Sequence, residues 1–129
     1  YNTQPNIQTL ITNADIVSIH VSYTKATHHL FDETVLQFFT KNKWFINNSR
    51  LGILDEGELL HKLRSGEIAG AALDVVQNEA GISKVDPLID YASKNDNLII
   101  VPHIGGNTYE SFDKTERFIA QKLIDLVIT

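Results

Sequence analysis

Apolar positions along the chain fall into two alternating rhythms. Ile7, Leu10 and Ile11 recur at helical spacing across residues 4–12, with Asn13 as a left-handed stop. Residues 16–21, IVSIHV, then run apolar on both alternating faces, as in a parallel strand covered on two sides. A polar loop with Ser22, Thr24 and Thr27 follows. Asp32 suits a helix N-cap, and Val35, Leu36 and Phe39 give one apolar face of a short helix. Polar residues 41–43 break that pattern. A second apolar burst, Trp44-Phe45-Ile46, stops at Asn47, Asn48, Ser49 and Arg50, as a buried strand does when it delivers side chains to its C-terminal end.

Asp55 with Glu58 three residues later has the form of a capping box. Leu59, Leu60 and Leu63 supply a buried stripe, Arg64 suits the last turn and Gly66 the stop. The acidic pair Asp55-Glu56 is therefore assigned to capping. Residues 68–76, IAGAALDVV, form a third apolar run. Its Gly70, Ala71 and Ala72 suit a strand approached closely by helices or by a ligand. A carboxylate inside such a run is costly to bury alone, so Asp74 is expected to have a specific partner. An irregular stretch with Gln77-Asn78-Glu79, Gly81, Asp86-Pro87 and a short LIDYA segment leads to a last strand, LIIV at 98–101, ended by Pro102. His103, Ile104, Gly105 and Gly106 come at once, the glycines predicting a tight turn or close backbone approach. From Thr108 the helical period returns through Phe112, Thr115, Phe118, Ile119, Leu123, Leu126 and Val127.

Four apolar strands alternating with helical segments predict a parallel α/β sheet. Ligands of such sheets bind beyond the C-terminal strand ends. Polar chemistry collects at three of those ends: Ser49-Arg50, Asp74 through Glu79, and His103. A cation, carboxylates and an imidazole converging on one crevice form an active-site pattern. His20 has two readings, a core imidazole bonded to backbone or a residue lining that crevice. His28 and His29 lack carboxylate or cysteine neighbours at ligand spacing, and no metal site is expected.

Charge and composition narrow the partners. A net charge of −5 argues against nucleic acid or an anionic membrane. No apolar run approaches the ~20 residues of a membrane span, and nothing at the start resembles a signal peptide; a cytoplasmic setting is the expectation. Without cysteine there is neither a disulfide framework nor a thiolate metal site. The chain opens at Tyr1 and holds no methionine, which suggests a piece of something longer.

Four stretches, ADIVSIHVSYT at 14–24, INNSRLGILDE at 46–56, GAALDVV with Glu79, and VPHIGG at 101–106, occur in an order and spacing that resemble the D-isomer-specific 2-hydroxyacid dehydrogenases. The resemblance implies a Rossmann-type three-layer domain, incomplete at its N-terminal side. Residues 1–107 would be the latter half of a nicotinamide-dinucleotide-binding domain. Residues 108–129 would be a helix packing on it or returning toward a substrate domain. It further implies that Arg50 binds the substrate carboxylate, that His103 is the acid/base, and that Glu79, five residues past Asp74, holds that histidine. Asp74 would contact the nicotinamide side, with His20, Val21, Ser22, Thr27, Ser49, Gly105 and Gly106 also lining the cofactor. The implied cofactor is NAD, with NADP open. The implied substrate is a small 2-hydroxy or 2-oxo acid, and a homodimer is implied by the resemblance alone. The chain departs from the family pattern at Leu51, where a glycine is usual, at Ser22, where a proline is usual, and in having no upstream glycine-rich phosphate turn.

Each implied role has independent chemical sense. A guanidinium grips a carboxylate bidentately. An imidazole titrating near neutrality delivers a proton as hydride arrives, and a carboxylate beside it stabilises its charged form. A non-catalytic nucleotide-sensing or scaffold protein on the same fold is the alternative. Retention of Arg50, Glu79 and His103 together favours the enzyme. A formate-oxidising relative would pair its histidine with glutamine, which Glu79 opposes.

Overall fold

A computed structural model describes residues 3, 6–75 and 86–127. The elements run α1 (Ile7–Asn13), β1 (Ile16–Ile19), α2 (Glu33–Leu36), β2 (Trp44–Asn47), a 3-10 turn (Leu51–Ile53), α3 (Glu56–Ser65), β3 (Gly70–Leu73), α4 (Pro87–Ala92), β4 (Leu98–Ile100) and α5 (Tyr109–Val127). The four strands pair in parallel in the order β1-β2-β3-β4, so the sheet is the Rossmann-type arrangement expected. Register aligns Val17 with Phe45, Phe45 with Ala71 and Ala71 with Leu98. These four point to one face, where they join Ile11, Leu36, Leu59, Leu63 and Leu88 from α1–α4 in a single core.

Local chemistry sets most boundaries. Asp32 caps α2 by accepting the amides of Thr34 and Val35. Asp86 does the same for α4, with Pro87 at its first position. Gly66 ends α3 at φ 70°. The capping box at α3 is half realised: Asp55 accepts from Glu58 N, but its own amide donates to Phe31 O.

Two expectations fail. α1 ends at Ala14 in extended conformation, not at a left-handed Asn13. Its last carbonyls, Thr12 O and Ala14 O, accept from the buried Lys43 Nζ at 3.0 and 2.6 Å, so a distant side chain does the capping. Nor are β1 and β2 covered on both sides among the described residues. Ile16 is 60% exposed, Trp44 45% and Ile99 60%, all on the face away from α1–α4. Right-handed crossovers between strands added in one direction put every helix on the same side. Among the described residues, it is the neighbouring strand and loop, not a helix, that crowd Gly70: a Cβ there would strike the Trp44 ring and lie 2.6 Å from Asn97 O.

Candidate active site

Because all strands are parallel, the residues that follow them share one edge. Arg50 lies three residues beyond β2 and His103 three beyond β4, with Asp74 directly after β3 between them. Glu79, expected to hold His103, falls outside the described residues.

The Arg50 loop hangs from Asn47, a buried residue at the end of β2. Its Oδ1 accepts from Ser49 N at 3.0 Å and its Nδ2 donates to Arg50 O at 3.3 Å. Ser49 donates its hydroxyl to Val21 O, fastening this loop to the end of β1. Arg50 is exposed, and its Nη1 donates to Ser49 O at 2.7 Å. A cleft of ≈ 540 Å³ opens here, lined by His20, Val21, Ser22, Tyr23, Asn48, Ser49 and Arg50. His20 lines this cleft and is not a core imidazole: the residue is exposed and its Nε2 lies 2.9 Å from Ser18 Oγ.

Thr27, by contrast, lies within its own loop. Its hydroxyl donates to Ser22 O at 2.8 Å and accepts from Thr24 N at 2.8 Å, so it shapes the turn beside Ser22. His28 stacks on His29 with centroids 4.1 Å apart, and its Nδ1 lies 3.2 Å from Tyr23 Oη. Tyr23 leans over Gly52, where a Cβ would lie 2.6 Å from the ring.

A second, apolar cleft of ≈ 290 Å³ adjoins the first at Asn48 and is lined by Ile46, Ala72, Asp74, Ile99, Val101, Ile104 and Gly105 among others. Here Asp74, 6% exposed, has the partner its burial demands. Oδ1 accepts from Ile104 N and Oδ2 from Gly105 N, both at 2.7 Å. The turn it holds contains two left-handed residues, His103 at φ 53° and Gly106 at φ 82°. A flat ring suits the apolar cleft and an anion suits the Arg50 cleft. A glycine-rich cradle for a pyrophosphate is not among the described residues.

Sequence reasoning missed Asn47 and Tyr23. An asparagine closing an apolar strand was a usable signal for the first, since a buried amide must be satisfied. Nothing in the sequence pairs Tyr23 with Gly52.

A parallel α/β sheet with its clefts along one C-terminal edge is a Rossmann-type nucleotide-binding domain. Residues 1–105 match the model of the D-isomer specific 2-hydroxyacid dehydrogenase, NAD binding domain, and the chain belongs to that family. It is 39% identical over 119 residues to a glyoxylate reductase of Thermofilum pendens, covering 92% of this chain and 34% of that protein. Its fold is similar to the NAD complex of a D-isomer specific 2-hydroxyacid dehydrogenase from Lactobacillus delbrueckii ssp. bulgaricus. That likeness has a TM-score of 0.76 and 30% identity over 92% of this chain and 39% of that one. A D-lactate dehydrogenase of Aquifex aeolicus, solved with NAD and lactic acid, gives a TM-score of 0.75 and 26% identity over 94% and 39% of the two chains. The chain spans about a third of the length of the curated relatives it matches. No helix among the described residues is long and apolar enough to cross a membrane.

Proposed function

We propose that this chain carries the catalytic edge of an NAD-dependent reductase of small 2-oxo acids. The observation that carries the reading is the placement of Arg50 and His103 on one sheet edge, beyond parallel strands separated by β3. When bound, the dinucleotide supplies the hydride. Arg50 holds the substrate carboxylate, orienting the carbonyl carbon. His103, as imidazolium, gives its proton to the carbonyl oxygen as that oxygen becomes a hydroxyl. In the reverse direction the neutral ring takes the same proton back. Glu79 supports the charged ring in this reading, and Ser49, Val21 and Asn47 fix the loop from which Arg50 reaches out. The exposed apolar residues of α5, among them Phe112, Phe118, Ile119 and Leu123, support its return toward a substrate domain that closes the clefts.

The test uses the full-length protein carrying this chain. His103→Gln should lower turnover by about 10²–10⁴-fold with cofactor affinity unchanged. His103→Asn, which tolerates the left-handed backbone better, guards against a merely conformational effect. Arg50→Lys keeps charge but loses the fork, and should chiefly raise KM for the oxo acid. Turnover near wild type in both His103 variants would remove His103 from the acid/base role, whereas a wild-type protein that reduces no 2-oxo acid would give the ground to a non-catalytic nucleotide-sensing role.

A further inference from the structure

We propose that Asp74 is the positioning residue of the His103 turn, acting through the backbone amides of Ile104 and Gly105. This rests on the reading of His103 as the proton carrier.

The geometry is that of a two-point clamp. Each carboxylate oxygen takes one of two consecutive amides, Ile104 N and Gly105 N, at 2.7 Å. These are the two residues directly after His103. A carboxylate accepts without donating, so it alone among side chains of this size satisfies two parallel N–H groups. An asparagine would face one of them with its own NH2. The Asp74 carboxylate is buried while the two amides sit at the part-buried rim, and a hydrogen bond to a charged group is stronger than a neutral one.

The base of the clamp is equally fixed. Asp74 N donates to Asn47 O, and Val101 N donates to Leu73 O, both at 2.9 Å, so Asp74 is tied into the ladder on both sides. The turn needs such an anchor because His103 sits at φ 53°, a conformation that costs a non-glycine residue free energy and persists only where its surroundings enforce it. Gly105 is part of the same device. A Cβ there would collide with Asp74 Oδ2, so only glycine lets the carboxylate close on both amides.

Displacing the turn should therefore misplace the imidazole while leaving its chemistry intact. A misplacement near 1 Å can cost about 10²-fold in turnover. The experiment compares Asp74→Asn and Gly105→Ala in the full-length protein. Gly105→Ala leaves every titratable group in place and opens the clamp sterically. Two readouts are taken: steady-state kinetics with NADH and a 2-oxo acid, and hydrogen exchange of the peptide containing residues 103–107.

The clamp predicts that both variants lower kcat by about 10²-fold, whatever either does to the KM for NADH. The double variant should be no worse than the poorer single one, because both changes break one interaction. Exchange at residues 104 and 105 should rise by about 10-fold or more in each, with the strands unaffected. Asp74→Asn that raises the KM for NADH while keeping kcat, or that leaves exchange unchanged, overturns the proposal. So does Gly105→Ala with wild-type kcat. If Asp74→Asn does not fold, Gly105→Ala still decides. A wild-type protein that reduces no 2-oxo acid would instead remove the functional reading, and exchange alone would then judge the clamp.

Discussion

Trp44 and Phe45 are consecutive aromatic residues of one strand, yet Trp44 is 45% exposed and Phe45 is fully buried. Phe45 meets Phe31 and Phe39 edge-on, at centroid separations of 5.3 and 5.6 Å, beneath the helices. Trp44 lies across Gly70 on the bare face. Two faces of one sheet, equally apolar in sequence, thus have different relations to the rest of the chain. One is filled by elements that the chain supplies itself. The other is left uncovered by the described residues, with the apolar cleft at its C-terminal edge.

The sharpest way to break that contrast is to truncate the buried member. Phe45→Ala should cost about 3–5 kcal/mol, seen as a lowered midpoint in denaturant unfolding. A loss below about 1 kcal/mol would mean that the two faces do not differ in packing. The next test concerns a polar contributor to the covered side. Lys43→Met removes the two hydrogen bonds to the end of α1, and should cost about 1.5–3 kcal/mol. Faster hydrogen exchange in α1 than in β3 would locate the damage.

A smaller effect tests whether helix caps on the covered side are electrostatic. The Thr34 hydroxyl, together with the amides of Val35 and Thr34, holds the Asp32 carboxyl below its ordinary value. A carboxylate with a depressed folded pKa stabilises fully above its unfolded pKa, about 4, and loses that contribution as pH falls through the folded value. Asp32→Ala should cost about 1 kcal/mol at neutral pH, and the gap to wild type should shrink as the pH is lowered below about 4. A gap independent of pH would assign the cap to shape alone. Smallest of all, Ile99→Ser on the bare face should change stability by no more than about 0.5 kcal/mol. A larger loss in the full-length protein than in this chain would show that the face is covered there.

Elements whose cause is local could be read directly. Asp32, Asp55 and Gly66 act within one turn of their own position, so sequence spacing carries the whole signal. The shared edge of Arg50 and His103 was legible too, because parallel strands leave their loops no other arrangement. Long-range causes were not. The end of α1 depends on Lys43, and Asp74 finds its partners 30 and 31 residues away. The exposure of Ile16 and Trp44 was hidden for a further reason: an apolar strand looks the same whether its cover comes from within the chain or from beyond it. In the site, the motif residue Asn47 was passed over because an amide at a strand end has no chemistry of its own. Its importance is the loop it holds.

The Lys43 tie has a consequence for how the protein comes into being. It joins residues 31 and 29 positions apart, Thr12 and Ala14 having been synthesised long before the lysine. As the nascent chain lengthens from its N-terminal side, α1 emerges with its final carbonyls still held by water. At only seven residues it is too short to persist alone. The arrival of Lys43 opens β2, whose first residue pairs with Ile16. A single side chain therefore links the end of the helix to the start of β2, and α1 gains this cap only once the second strand is added.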